Sequence, residues 1–164
     1  DFAVILPDDL ILGENCLAQM VKIYKKEQSS VIGAMRVSKK DVDKYGIIKL
    51  KNIKKKPMTI EKLEEKPKIG KASSNLAVVG RYILKSSIFK NLKKIKIGKG
   101  KEIQLTDALS SSCIREKVLA YKFNGDRFDC GSKLGYVEAQ IAFALNDKNI
   151  KEDIKKIIIK TVKK

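Results

Sequence analysis

The feature that most constrains this chain is an unbroken apolar run, FAVIL at 2–6, stopped by Pro7 and followed at once by Asp8 and Asp9. A run that is apolar on both alternating faces predicts a strand covered on both sides, as in a parallel α/β sheet. Proline has no N–H to give to the ladder and ends it. Asp8 and Asp9 are therefore expected just past the carboxyl end of a buried strand, where open α/β sheets bind ligands. Two carboxylates there suit a hard cation such as Mg²⁺, bound through oxygen with phosphates completing its shell. For these two residues alone, a solvated turn is the better reading.

The rest of the chain alternates strands and helices. Asn15 caps a helix whose apolar face is Leu17, Met20, Val21 and Tyr24, and a strand at 31–37 follows. Strand–helix–strand implies a parallel crossover. After a short turn or helix at 41–44, Tyr45-Gly46-Ile47-Ile48 opens a strand, 49–56 reads as a basic hairpin loop, and 59–63 resumes the strand. Glu64, Glu65 and Lys66 then precede Pro67, which predicts an extended Lys66. Gly80 inside the apolar strand at 75–84 suggests a bulge or a close approach. A serine-capped helix at 86–92 and a basic loop at 93–101 come next. The helix expected at 102–116 has Leu105, Ala108, Leu109, Ser112 and Cys113 as its inner stripe. A strand at 118–123 leads to Asn124-Gly125-Asp126, a hairpin signal. Ser132 caps a helix with Leu134, Val137, Ile141, Ala144 and Leu145 on one face, and a basic helix carries Ile150, Ile154, Ile157, Ile158 and Val162. The order points to one α/β domain over residues 1–164, with a mixed, mostly parallel sheet flanked by helices.

Composition narrows the function. The 164 residues suffice for one core, and a start on Asp directly before a strand reads as a fragment. The net charge of +17 comes mostly from lysines interleaved with isoleucine, and aromatics are 6%, so no array for stacking nucleobases is present. The charge reads as solvated surface whose field favours an acidic substrate, not a specific nucleic-acid site. Cys16, Cys113 and Cys130 are odd in number and far apart, which suggests neither a disulfide frame nor a zinc knuckle and fits a reducing cytoplasm. With no histidine in the chain, Ser–His and Cys–His catalysis are out of reach for these residues. No apolar run has membrane length.

Six blocks in order are specific together: LPDDL at 6–10, KYGII at 44–48, EEKP at 64–67, SNLAVVGRYIL at 74–84, EIQLTDA at 102–108 and DCGSKLGY at 129–136. The chain resembles bacterial UTP–glucose-1-phosphate uridylyltransferases over nearly its whole length, fading at 49–58 and beyond about residue 145. The resemblance implies a nucleotide-diphospho-sugar transferase fold, here a partial domain. It implies the reaction of UTP with glucose 1-phosphate to UDP-glucose and pyrophosphate, with Mg²⁺ as cofactor and a homo-oligomer as the complete enzyme. Asp8 and Asp129 match the family's metal aspartates. Gly46, Glu65 and Lys66 match the positions that hold the sugar and its phosphate, and Lys66 would pair with the phosphate during transfer.

The chemistry is consistent with these roles. In-line attack of an already ionised phosphate needs positioning and charge neutralisation more than a protein acid or base. Lys66 would act as a point charge, Glu65 as an acceptor for sugar hydroxyls, and Gly46 as a place where a ring can approach the backbone. Asp9 reads as structural or supporting, Cys130 as packing, and Gln104 and Asp107 as helix residues near the site. The family's glycine-rich nucleotide loop does not occur in these residues, and Lys101 stands where the family commonly has an acid. This chain by itself is therefore not expected to turn over. A sister nucleotidyltransferase using dTTP or another sugar, a binding module or decayed remnant, and a basic nucleic-acid-binding domain are the competing readings.

Overall fold

The computed structural model describes residues 1–52, 57–96 and 102–163. The expected basic loops at 49–56 and 93–101 lie partly outside the described residues, and Lys101 lies wholly outside them. In chain order the elements are β1 (Phe2–Ile5), β2 (Asp9–Gly13), α1 (Cys16–Glu27), β3 (Ser30–Arg36), a 3-10 turn (Val42–Lys44), β4 (Gly46–Leu50), β5 (Met58–Glu65), β6 (Leu76–Leu84), α2 (Ile88–Leu92), α3 (Leu105–Arg115), β7 (Val118–Lys122), β8 (Gly125–Asp129), α4 (Lys133–Asn146) and α5 (Lys151–Val162). They form two compact units, one of Asp1–Ile5 with Asn15–Phe123, the other of Leu6–Glu14 with Asn124–Lys164.

The first unit is a six-stranded sheet in the order β1-β6-β3-β7-β5-β4, with helices packed on it. The expected mixed sheet is present, but its parallel part is narrower than expected: β3–β7 is parallel, while β1–β6, β3–β6, β5–β7 and β4–β5 are antiparallel. The cause is β6. It inserts between β1 and β3, which run the same way, so the crossover through α1 joins strands that are not neighbours. Nor is β1 covered on both faces. It lies at the sheet edge, Phe2 and Val4 pack on the core, and Ile5 is 52% exposed. The bulge suggested by Gly80 is real, since the β3–β6 register shifts between Ile32 and Ala34.

Helix α1 starts where Asn15 Oδ1 accepts the Ala18 N–H at 3.0 Å, and ends at Gln28 in the left-handed conformation, φ 50°. It buries Cys16 and Met20. The main core brings Ile32, Ile48, Ile60, Leu63, Leu84 and Leu109 together, each side chain contributing roughly 1.5–3 kcal/mol by leaving water. Helix α3 begins at Leu105 rather than 102, because Gln104 takes extended backbone (φ −83°, ψ 125°). Its inner face is the expected one, with Ala108, Leu109, Ser112 and Cys113 buried. Burial pushes the Cys113 thiol up to about 11. Ser87 precedes α2, but its hydroxyl donates to Glu116 Oε1 at 2.8 Å instead of capping the helix.

The second unit is a two-stranded antiparallel ribbon, β2 with β8, together with α4 and α5. Asn124-Gly125-Asp126 is therefore not a hairpin tip. Gly125 begins β8 and pairs across to Gly13. Gly125 has φ +142°, and a Cβ there would lie 2.4 Å from the Leu12 carbonyl oxygen. Only glycine allows the two strands to close at that point. Ser132 caps α4 as expected, its Oγ accepting the Gly135 N–H at 3.0 Å. The bulky stripe of α4 does not face inward as expected: Leu134 is 70%, Val137 51% and Ile141 42% exposed. The helix buries its small residues Gly135 and Ala139 instead, one turn apart. A Cβ on Gly135 would lie 2.1 Å from the Asp129 carbonyl oxygen, so the first turn of α4 sits directly on the end of β8. Phe143 meets Phe128 edge to face at 6.1 Å further along. Helix α5 packs on α4 and buries no residue completely. Gly135→Ala is expected to destabilise the protein by about 1–3 kcal/mol, the usual cost of forced overpacking, read as a lower midpoint in denaturant unfolding with unchanged slope.

Candidate active site

The pairing register of the ribbon builds a carboxylate cluster in the second unit. Asp9 is the direct partner of Asp129, and Leu10 of Phe128. Asp8 occupies the turn just before β2, so of the two expected post-strand acids only Asp8 lies outside a strand. The Asp8 carbonyl accepts the Cys130 N–H at 2.8 Å, which holds the Asp8 turn against the 129–131 segment. Gly131 marks where the carboxylates meet. A Cβ built on it would lie 3.1 Å from Asp8 Oδ2 and 3.1 Å from Asp129 Oδ1. Both oxygens thus border one point beside Gly131, closer to it than an ordinary van der Waals contact. Asp129 Oδ1 also accepts the Gly131 N–H at 3.2 Å. Asp8 and Asp129, 121 positions apart in the sequence, are brought together as expected.

Arg127 completes this cluster and was not singled out from the sequence. Its Nε donates to Asp9 Oδ1, and its NH1 lies 3.3 Å from Asp129 Oδ2. Arg127 and Asp9 are nearly buried, with side chains 11% and 6% exposed. The signal available in the sequence was the spacing: Arg127 and Asp129 are two apart on a strand and so share a face. What could not be seen was that β2 would pair with β8.

A separate constellation lies in the first unit. Gly46 pairs directly with Glu65, and Ile47 with Glu64. Directly opposite residues share a face and successive ones alternate. Glu65 therefore shares the face of Gly46, and its Oε2 lies 3.5 Å from where a Gly46 Cβ would be. Thr106, at the start of α3, places its Oγ1 3.1 Å from the same point. Gly46, Glu65 and Thr106 thus enclose a backbone surface that carries no side chain of its own. Thr106 was missed in the sequence, where Gln104 and Asp107 drew attention instead. Glu64 is committed elsewhere. Its carboxylate takes the Lys62 ammonium at 2.7 Å and the Ser73 N–H at 3.1 Å. Partial burial pushes that carboxyl up, but these donors together outweigh it and hold it below its ordinary value.

Lys66 departs from its expected extended form. Its φ is +41°, and its N–H donates to the Tyr45 carbonyl at 3.1 Å. That bond closes the β4–β5 ladder one step past Glu65 and turns the chain before Pro67. A non-glycine residue in this region costs roughly 1–3 kcal/mol, and such strain concentrates at functional sites. Asp8 with Asp129, and Gly46 with Glu65 and Lys66, are therefore two local constellations, each built within its own unit.

Among the described residues no group of three or more His, Cys, Asp and Glu side chains is placed to hold a metal ion. Two converging carboxylates still fit Mg²⁺, which keeps several waters and takes phosphate oxygens for the remainder of its octahedron. The hard oxygen donors at Gly131 agree with that ion and not with a closed, all-protein cage.

Comparison with known proteins gives the same direction. The family profile described as nucleotidyl transferase matches residues 1–145. The chain is 40% identical over 158 residues to UTP–glucose-1-phosphate uridylyltransferase 1 of Staphylococcus saprophyticus, covering 96% of this chain and 55% of that one. It is 46% identical over 141 residues to the UTP–glucose-1-phosphate uridylyltransferase of Pseudomonas aeruginosa, covering 84% and 50%. Among solved structures it matches a UDP-glucose pyrophosphorylase complexed with UDP-glucose, with a TM-score of 0.83 and 43% identity over 89% of this chain and 57% of that one. A UTP-bound UDP-glucose pyrophosphorylase from Acinetobacter baumannii matches with a TM-score of 0.84 and 35% identity over 97% and 56%. The chain spans about half the length of the curated relatives it matches. With its fold, its carboxylate pair and a profile match over most of its length in agreement, the chain belongs to the nucleotidyl transferase family.

Proposed function

We propose that this chain is the sugar-phosphate- and metal-binding part of a UTP–glucose-1-phosphate uridylyltransferase. The observation that carries the proposal is the meeting of Asp8 and Asp129 at Gly131, each carboxylate 3.1 Å from one point. The relatives named above support uridylyl transfer over other chemistries, and six sequence blocks in order support the same substrate pair. In the reaction, a phosphate oxygen of glucose 1-phosphate forms a bond to the α-phosphorus of UTP. The bond from that phosphorus to the bridging oxygen breaks, and pyrophosphate leaves with the electron pair.

Asp8 and Asp129 would hold Mg²⁺, which when bound neutralises phosphate charge and fixes phosphate orientation. Lys66 would pair with the sugar phosphate as a point charge, its backbone strained into place. Glu65 would accept hydrogen bonds from sugar hydroxyls beside the Gly46 backbone, against which Thr106 and Glu65 pack. No protein base is required, which agrees with a chain that has no histidine.

The free cysteines Cys16, Cys113 and Cys130 support a cytoplasmic location, and no helix among the described residues is long and apolar enough to cross a membrane. Exposed apolar residues on α4 and α5, such as Leu134 at 70% and Val162 at 81%, support a homo-oligomeric complete enzyme.

Three measurements on the protein expressed from its full reading frame test this reading. Asp8→Asn and Asp129→Asn are each expected to lower Mg²⁺-dependent UDP-glucose formation at least about 100-fold, the usual size of losing one electrostatic contact in a transition state. Near-normal turnover in both would overturn the assignment. Lys66→Ala is expected to raise the KM for glucose 1-phosphate by about 10–100-fold, in line with the loss of a charge-assisted hydrogen bond, and to leave the KM for UTP nearly unchanged. An unchanged sugar-phosphate KM and kcat would remove its role. Gly131→Ala places a methyl group at the point that both carboxylates border. It is expected to weaken Mg²⁺ binding about tenfold, measured by isothermal titration, while the thermal midpoint moves by no more than about 2 °C, because the residue is exposed.

A further inference from the structure

The proposed ion site leaves one nearly buried charge pair beside it without a role. Asp9 and Arg127 are 6% and 11% exposed, and Arg127 Nε donates to Asp9 Oδ1. Desolvation makes such a pair weak evidence for stability, and its best-attested use is to specify an arrangement. The arrangement here concerns Asp129. Asp9 is its direct cross-strand partner, and Arg127 is two residues before it on the same strand. Two carboxylates directly opposite each other repel, and the guanidinium sits between them. Its contact to Asp129 Oδ2 is 3.3 Å, longer than the 2.7–2.9 Å of a strong charge-assisted bond. The other oxygen, Oδ1, turns to the Gly131 N–H and the Asp8 carboxylate. Asp129 is therefore touched by the guanidinium but not captured by it.

We infer that Asp9 is a positioning residue: by engaging Arg127 it keeps that guanidinium from closing on Asp129, and so leaves Asp129 available to a divalent cation. This rests on the reading of Asp8 and Asp129 as ion ligands. Charge supports it. Asp8, Asp9 and Asp129 with Arg127 carry a formal charge of −2, which matches a divalent cation. Without the Asp9 carboxylate the cluster carries −1. Released from Asp9, the guanidinium of Arg127 closes on Asp129 in a bidentate pair, which removes both oxygens from the ion. Arg127 is on this view a held-off competitor, and Asp9 holds it.

The test is Mn²⁺ binding without substrates, read from the spin-resonance signal of free Mn²⁺, on the protein expressed from its full reading frame. Asp9→Asn is expected to raise the Mn²⁺ Kd about tenfold or more, the size of one charge-assisted hydrogen bond won by the wrong partner. The double variant Asp9→Asn with Arg127→Gln removes the competitor as well, and its Kd is expected to return to within about threefold of wild type. A merely structural pair would not show this rescue, since the double variant would bind no better than the single one. The inference is overturned if Asp9→Asn binds like wild type, or if the double variant is as weak as Asp9→Asn. Should Asp9→Asn not fold, Arg127→Gln alone decides: Mn²⁺ binding within about threefold of wild type, or tighter, supports a competitor, and a tenfold loss in the folded variant overturns it. Asp8→Asn and Asp129→Asn run alongside. Unchanged Mn²⁺ binding in those two would sink the ion site itself, whereas their loss with an unaffected Asp9→Asn would sink only the role of Asp9.

Discussion

Antiparallel pairing of β2 with β8 is the constraint on which the carboxylate site depends. Its register sets Asp9 against Asp129 and brings the turn carrying Asp8 to the 129–131 segment. Side chains alternate along a strand, so a slip of one residue would turn Asp129 and Arg127 to the other face together. Two features hold the register. Gly13 and Gly125 close one end, where no side chain fits, and the Cys130 N–H bond to the Asp8 carbonyl closes the other. Gly135 then lets α4 rest on the Asp129 carbonyl. The residues that fix the backbone around Asp129 are thus mostly ones that carry no chemistry themselves.

The Gly46–Glu65 constellation is built by the same logic on a different sheet. The β4–β5 register places Gly46 and Glu65 on one face and sends Glu64 to the other, where Lys62 and Ser73 hold it. Two adjacent glutamates therefore divide into one structural and one available group, a division made by strand alternation alone. Lys66 carries backbone strain at the point where the ladder ends. The well-packed core beneath, with Ile48, Leu63 and Leu109 in one cluster, supplies the rigidity that can sustain it.

Where the sequence pattern misled, packing partners were the reason. The FAVIL run promised a strand covered on both faces, yet β1 is an edge strand with Phe2 and Val4 on the core and Ile5 exposed. The apolar stripe of α4 promised an inward face, yet the helix approaches the ribbon through Gly135 and Ala139 because small residues permit the closest contact. The mixed sheet was legible, but its predominantly antiparallel pairing was not, since local periodicity does not say which strand will insert between two others.

The sequence by itself determined the caps at Asn15 and Ser132 and the inner face of α3, and it named Asp8, Asp129, Gly46, Glu65 and Lys66 as candidates. These are legible because capping, helical periodicity and ordered motif blocks are local or linear properties. Only the tertiary structure decided that Asp9 enters a strand, that Arg127 lies between Asp9 and Asp129, that Thr106 faces Gly46, and that Lys66 adopts a positive φ. Each of those depends on which distant segment becomes a neighbour, and strand partnership across more than a hundred residues is a property of the packed molecule and not of any stretch of chain.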